Sequence, residues 1–174
     1  MDAILNSDPV LEEMERDQHW EKTIDYCCKN WADNRSLESL LRLMLQAWFL
    51  CSYADDLPPF HEKPPADIDY DKLTQILEDT LTEGDLRYNE EAAFLCLSGQ
   101  MMTAQPEWFV NHDNSYDEIK RRGSDKMKHA CSLDPIFCSF YQDKSISEEE
   151  ASLLFPGKSE VDCYIKSIIT STWR

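Results

Sequence analysis

One stretch of the chain, Ser36 to Tyr53, constrains the fold more than any other because nearly all of its positions are apolar. Apolar residues recur in it at steps of three and four, which is the period of an α-helix. These residues are Leu37, Leu40, Leu41, Met44, Leu45, Trp48 and Cys51, and the set Leu43, Ala47 and Leu50 widens the same face. A helix that is apolar around most of its circumference is one against which others pack on several sides. The stretch therefore predicts a buried central helix.

The central helix carries one narrow polar stripe, which consists of Glu38, Arg42 and Gln46. Successive members are one helical turn apart, and the spacing of Glu38 and Arg42 supports an ion pair on a helix surface. The sequence therefore predicts that this stripe is exposed to solvent.

The remaining segments also have helical periods between turn signals, so the sequence predicts an all-α, single-domain fold over residues 1–174. About seven to eight helices are expected to form a bundle around the buried central helix. The predicted segments run from Ser7 or Asp8 to about Asn30 (one bent helix or two), Asp71 to about Glu83, Asn89 to about Gln105, Tyr116 to about Cys131, Ile136 to Tyr141, and Glu148 to Phe155. Gly84 is expected to be a C-cap, and a break is allowed for at Gly123. For Val161 to Trp173 a helix is favoured over a strand.

Four small residues form a line along the segment that begins at Asn89. They are Ala92, Cys96, Gly99 and Thr103, at positions i, i+4, i+7 and i+11 of a helix. Because small side chains let a second helix approach closely, this line predicts a groove, and the central helix is expected to occupy it.

The charge of the chain is strongly negative and uneven. There are 17 Lys and Arg against 34 Asp and Glu, a net charge of −17. Residues 67–118 hold 2 basic and 13 acidic residues, a net charge of −11 in less than a third of the chain. This balance argues against direct nucleic-acid binding, which needs Lys and Arg to replace counterions on phosphates. It favours rapid encounter with a basic partner.

The cysteines and the N-terminus indicate a cytoplasmic protein. Seven Cys are an odd number without a CxxC motif, and several occupy apolar helical positions, where a thiol acts as a small hydrophobic group. A reducing compartment suits such cysteines. The N-terminus has no basic region followed by an apolar one, so no signal peptide is expected, and no apolar run is long enough to span a membrane.

Motifs for catalysis or metal binding each lack a necessary part. The run Tyr53-Ala54-Asp55-Asp56 spells the box of reverse transcriptases, but it ends a helix, where that chemistry needs a hairpin aiming two carboxylates at Mg²⁺. The segment from Asp67 to Asp71, with Glu78, has the carboxylate spacing of an EF-hand, but Lys72 occupies the position that needs Gly. The doublet His112-Asp113 has no further ligand pattern around it. The sequence therefore predicts no enzyme, no metal site and no cofactor.

The acidic segments of the middle of the chain, with the aromatic residues that follow them, are the candidate partner-binding site. We call the acidic residues of this set the acidic belt: Asp67, Asp69, Asp71, Glu78, Asp79, Glu83, Asp85, Glu90 and Glu91. Trp108 and Phe109 complete the candidate site. Charge sets the on-rate of an interface and buried aromatic residues hold it together. The basic run that begins at Lys120 is expected to pair with the protein's own acidic surface.

The text from Tyr88 to Leu95 and from Gly99 to Phe109 resembles that of all-helical bacterial immunity proteins, which neutralise polymorphic or contact-dependent toxins. The resemblance covers one helix. It implies a cognate toxin that is bound stoichiometrically, often with its active site occluded, and many such toxins are basic nucleases. The expected function is accordingly an inhibitor of a bacterial toxin. The alternatives are a helical adaptor or regulatory subunit that binds a partner protein and, less favoured, a small enzyme.

Overall fold

The fold is all-α in a computed structural model, which describes residues 3–53, 68–110, 114–141 and 146–170. In these ranges every regular element is helical, which confirms the predicted fold class. The α-helices are α1 (Pro9–Arg16), α2 (Trp20–Asn34), α3 (Leu37–Tyr53), α4 (Tyr70–Arg87), α5 (Ala92–Ala104), α6 (Tyr116–Leu133), α7 (Cys138–Tyr141), α8 (Glu148–Leu154) and α9 (Glu160–Thr170). All but α7, a single turn of 4 residues, have 7 residues or more. Two short 3₁₀ helices, Pro106–Phe109 and Pro135–Phe137, precede α6 and α7.

Local sequence signals fix the starts of most helices. The Asp8 carboxylate accepts hydrogen bonds from the backbone N–H groups of Val10 and Leu11, which satisfies two donors at the start of α1. Ser115 caps α6 in the same way, and Ser147 and Glu150 form a reciprocal capping box at α8. The first predicted segment is therefore two consecutive helices, and the last one, α9, is a helix as favoured.

Helix α3 is the buried centre of the fold, as predicted. Every residue from Leu40 to Ser52 is buried, and α2, α4, α5 and α9 contact the helix from different sides.

No helix in the described part of the chain is long and apolar enough to cross a membrane.

The prediction of an exposed polar stripe on α3 is wrong for Arg42 and Gln46, which are 5% and 0% exposed. Arg42 Nη1 donates to Asp162 Oδ1 on α9 at 3.0 Å, and Gln46 Nε2 donates to Thr23 Oγ1 on α2 at 3.2 Å. Buried polar groups need such partners. Because these lie on distant segments of the chain, the spacing within α3 could not indicate them.

The line of small residues on α5 is a groove, but α6 occupies it and α3 does not. The backbones approach so closely that a Cβ added at Gly99 would lie 2.6 Å from the carbonyl oxygen of Gly123. A Cβ added at Gly123 would lie 2.7 Å from the oxygen of Gly99. Gly123 therefore does not break α6. It is the residue that lets the two helices meet.

Two further local features differ from what the sequence indicates. Gly84 is not a C-cap: it lies inside α4, where an added Cβ would be 2.1 Å from the ring of Phe94. Cys131 and Cys138, for which no pairing was predicted, form a disulfide that joins the end of α6 to α7.

Candidate partner-binding surface

Part of the acidic belt and the predicted aromatic residues meet at one cleft. The cleft has a volume of about 370 Å³ and lies between α4, the 3₁₀ helix Pro106–Phe109 and α6. Glu78 and Asp85 line it from α4, and Trp108 and Phe109 line it from the 3₁₀ helix. Four of the candidate residues, from two separate segments of the chain, are thus brought to one place.

Helix α4 presents its acidic residues because its other face is buried. Leu73, Leu77 and Leu81 recur at helical spacing and pack into the core. The opposite side carries Asp71, Glu78 and Asp79, all exposed, at i, i+7 and i+8. We call these three residues the α4 acidic face. Residues at this spacing share one side of a helix, so their charges act on the same region of solvent.

Glu83 and Asp85, near the C-terminal end of α4, are neutralised by the protein's own cations. Glu83 pairs with Arg87 at 3.2 Å within α4. Asp85 pairs with two side chains of α6, Lys126 through a direct Nζ–Oδ1 contact and Arg122 at 3.8 Å. Burial lowers the pKa of Lys126, and the hydrogen bond to Asp85 opposes that shift. The predicted pairing of the basic run with the protein's own acidic surface is confirmed at this position.

Glu90 and Glu91 follow α4 and are both exposed. The Nε2 of His129 lies 3.7 Å from the carboxylate of Glu90. The carboxylate of Glu91 has no cation within 4.0 Å among the described residues.

The α4 acidic face lacks such compensation. No Lys, Arg or His within residues 68–110 or the other described ranges lies within 4.0 Å of its carboxylates. Asp79 accepts a hydrogen bond from the neutral amide of Gln75 at 2.9 Å. Asp69, the residue that precedes α4, is used locally, since its carboxylate accepts from the backbone N–H of Lys72 and caps the helix. Of the three uncompensated carboxylates of the α4 acidic face, that of Glu78 lines the cleft itself.

The aromatic residues form a wall of the cleft. Trp108 and Phe109 are half-buried and pack against the hydrophobic core, whereas the neighbouring Val110 is 42% exposed. The indole Nε1 of Trp108 is buried without a hydrogen-bond partner in the described structure. Tyr116 Oη donates to Glu107 Oε2 at 2.7 Å and joins the start of α6 to the 3₁₀ helix. The wall is therefore held by packing on one side and by a hydrogen bond on another.

Several residues of the cleft were not predicted. Glu107 adds a carboxylate, Asn114 an amide and Arg122 a guanidinium. Helical spacing within α4 does indicate that Gln75 lies near Glu78. Arg122 could not be found this way, because it reaches the cleft only through the close packing of α5 and α6.

Other candidates have different outcomes. Asp67, the doublet His112-Asp113 and Asp55-Asp56 of the reverse-transcriptase box lie outside the described residues. Among those the structure describes, no three or more His, Cys, Asp or Glu side chains are grouped to hold a metal ion. Burial raises the pKa of the Cys27 and Cys96 thiols, so both stay protonated at neutral pH.

Comparisons of the chain with protein-family models, with curated proteins and with solved structures give no match.

Proposed function

We propose that this protein is an immunity-type inhibitor that binds and neutralises a cognate bacterial toxin, a basic protein of the nuclease type. The α4 acidic face and the adjoining cleft are the proposed contact surface. The observation that supports this most is the uncompensated charge of the α4 acidic face, whose Glu78 lines the cleft together with the half-buried aromatic wall.

Charge and aromatic packing have separate roles in this proposal. The net charge of −17 steers a basic partner towards the protein, and the α4 acidic face orients the encounter. Trp108 and Phe109 then supply apolar area to side chains that enter the cleft. Arg122, which lines the cleft, pairs with Asp85 and excludes a second cation from that side.

The proposed surface is already ordered before binding. Helix α4 packs against α3 through buried leucines, and Asp69 caps its first turn. A preformed surface loses less conformational entropy on association than a flexible one, which suits a tight inhibitor.

The adaptor alternative in which a peptide occupies the small-residue groove loses its binding site, since α6 fills that groove. An adaptor that used the α4 acidic face would bind the same class of basic surface. The identity of the partner separates the two functions.

The test starts from the gene immediately upstream, where we expect a toxin C-terminal domain, and co-expresses that domain with this protein. We expect the wild-type chain to restore growth and to bind the purified domain at a 1:1 ratio in calorimetry. The variant E78K/D79K should lose protection and bind more weakly. The matched control E13K/D33K makes the same charge change at exposed residues of α1 and α2 and should protect like the wild type. Equal binding by both variants, or the absence of a toxin domain, would contradict the proposal.

A cytoplasmic location is part of the proposal, because an inhibitor of this kind meets the toxin inside the cell. The Cys131–Cys138 disulfide points the other way, since disulfides are rare in reducing compartments. Alkylation of thiols in intact cells before lysis decides between the two: labelling of Cys131 and Cys138 supports the cytoplasm, and their protection contradicts it.

A further inference from the structure

Three ionisable side chains are buried together where α1, α3 and α9 meet. Glu15, Arg42 and Asp162 are 0%, 5% and 0% exposed. Buried charges are costly unless they are paired. This cluster lies apart from the α4 acidic face, and the proposed function does not use it.

Asp162 has a full set of partners. Its Oδ1 pairs with Nη1 of Arg42 at 3.0 Å, and its Oδ2 accepts a hydrogen bond from Ser159 Oγ at 2.9 Å. The backbone passes so close at Gly157 that an added Cβ would lie 2.0 Å from Oδ2. Arg42 also donates to the carbonyl oxygen of Asn6 through Nη2. The single guanidinium is therefore committed to Asp162.

Glu15 is the carboxyl group of the cluster that has no cation within 4.0 Å among the described residues. Its Oε2 accepts from the backbone N–H of Val161 at 3.2 Å, which joins α1 to the first turn of α9. Its Oε1 is buried and has no hydrogen-bond partner in the ranges that the structure describes. If both carboxyl groups ionise, the cluster holds two negative charges and one positive charge in a site closed to water.

The groups that face Glu15 from the packed elements favour its neutral form. Asp162 on α9 repels a second carboxylate, Arg42 on α3 is paired, and the Cys27 thiol on α2 is neutral. Burial is the main cause that raises the pKa of Glu15, to about 7, and the negative charge of Asp162 raises it further. Hydrogen bonds from the backbone of Val161 and Glu160 and from the side chain of Ser159 oppose this shift.

We propose that Glu15, Arg42 and Asp162 form a proton-dependent clamp on helix α9. The clamp holds α9 against α1 and α3 when Glu15 is protonated, and it loosens when Glu15 ionises and repels Asp162.

The direction of the pH effect follows from linkage. The pKa of Glu15 is about 7 with α9 in place and near its ordinary value of 4.5 when α9 is detached. Protonation therefore stabilises the docked helix fully below about pH 4.5, and this contribution is lost as the pH rises through 7. The equilibrium constant for docking of α9 therefore falls roughly 30-fold between pH 5.5 and 8.5.

Hydrogen exchange tests the clamp when the exchange rates are corrected for the intrinsic effect of pH. In the full-length protein, protection of the α9 amides should fall roughly 30-fold from pH 5.5 to 8.5. The variant Glu15→Gln, which is always neutral, should remove the dependence. The matched control Glu13→Gln, exposed on the same helix, should retain it.

Two outcomes would overturn the clamp: α9 protection that does not change with pH, or a loss of the same size in Glu15→Gln, which would place the effect on another titrating group. A direct titration of the Glu15 carboxyl by carbon NMR in the wild-type protein keeps the test valid even if Glu15→Gln does not fold. A midpoint near 7 supports the clamp, and one near 4.5 overturns it.

Discussion

The protein places carboxylates in two opposite environments, at the buried cluster of α1, α3 and α9 and on the α4 acidic face. In the cluster, Asp162 is fully enclosed, and its two oxygens accept hydrogen bonds at 3.0 and 2.9 Å. On the acidic face, Glu78 and Asp79 are exposed to solvent, and no cation of the described residues neutralises them. The same chemical group therefore contributes to stability at one site and is available to a partner at the other.

This difference separates the effects of substitutions. Removing one partner of a buried ion pair leaves a charge without compensation, whereas exposed charges are screened by water and salt. Changes in the cluster should alter unfolding, and changes on the α4 acidic face should alter binding. Four predictions test this separation, from the largest expected effect to the smallest.

Arg42→Met should have the largest effect, because it leaves Asp162 buried without a cation. We expect a loss of about 3–5 kcal/mol in the free energy of unfolding, measured by urea denaturation. Arg121→Met is the control, since this arginine is 65% exposed in its ion pairs and should cost under about 1 kcal/mol. Equal losses of unfolding free energy in the two variants would contradict the difference between the buried ion pair and the exposed one.

Asp162→Asn should cost about 1–3 kcal/mol, since Arg42 then loses a charged acceptor. It also removes the negative charge that helps to raise the pKa of Glu15. The decrease in stability on raising the pH through 7 should therefore become smaller than in the wild type. Urea titrations at pH 5.5 and 8.5 measure this, and an unchanged decrease would show that Asp162 does not act on Glu15.

Asp85→Asn is expected to have an intermediate effect, about 1 kcal/mol, because Asp85 is partly exposed but Lys126 beside it is largely buried. The loss should be greater than for Asp79→Asn, which removes no ion pair. Thermal unfolding of the two variants gives the difference, and the reverse order would contradict the division of the acidic belt into a paired and an unpaired part.

The charge reversals Glu78→Lys and Asp79→Lys should have the smallest effect on folding, within about 0.5 kcal/mol. These charge reversals should instead slow association. The on-rate for the basic partner should fall roughly 10-fold at low salt, and less at high salt. Stopped-flow binding at two ionic strengths measures this. A large loss of stability without a change in the on-rate would contradict the assignment of the α4 acidic face to binding.

Most of the helices were predictable because their signals are local. The apolar period of α3 and the capping residues Asp8, Ser115 and Ser147 act within one or two turns of the chain. The buried cluster was not predictable, since Arg42 and Asp162 are 120 residues apart and the spacing within α3 makes Arg42 look exposed. The role of Gly84 was not predictable for a similar reason, since it depends on Phe94 of the next helix.

The sequence predicts which residue types make up the candidate site, but it does not predict which of the carboxylates are paired with cations. The excess of acidic residues and the aromatic pair Trp108 and Phe109 are visible in the sequence, and the structure brings four of the candidate residues to one cleft. Which carboxylates are neutralised depends on where Arg122 and Lys126 lie, and the packing of α6 on α5 decides that.

The contact between Gly99 and Gly123 therefore has an electrostatic consequence. These residues have no side chains, yet their close approach fixes the position of α6 and delivers Arg122 and Lys126, one and three residues away from Gly123, to Asp85. A methyl group at Gly99 would lie 3.2 Å from Cβ of Lys126 and press against that segment of α6. Two uncharged residues in the interior thus control how much negative charge the surface offers to a partner.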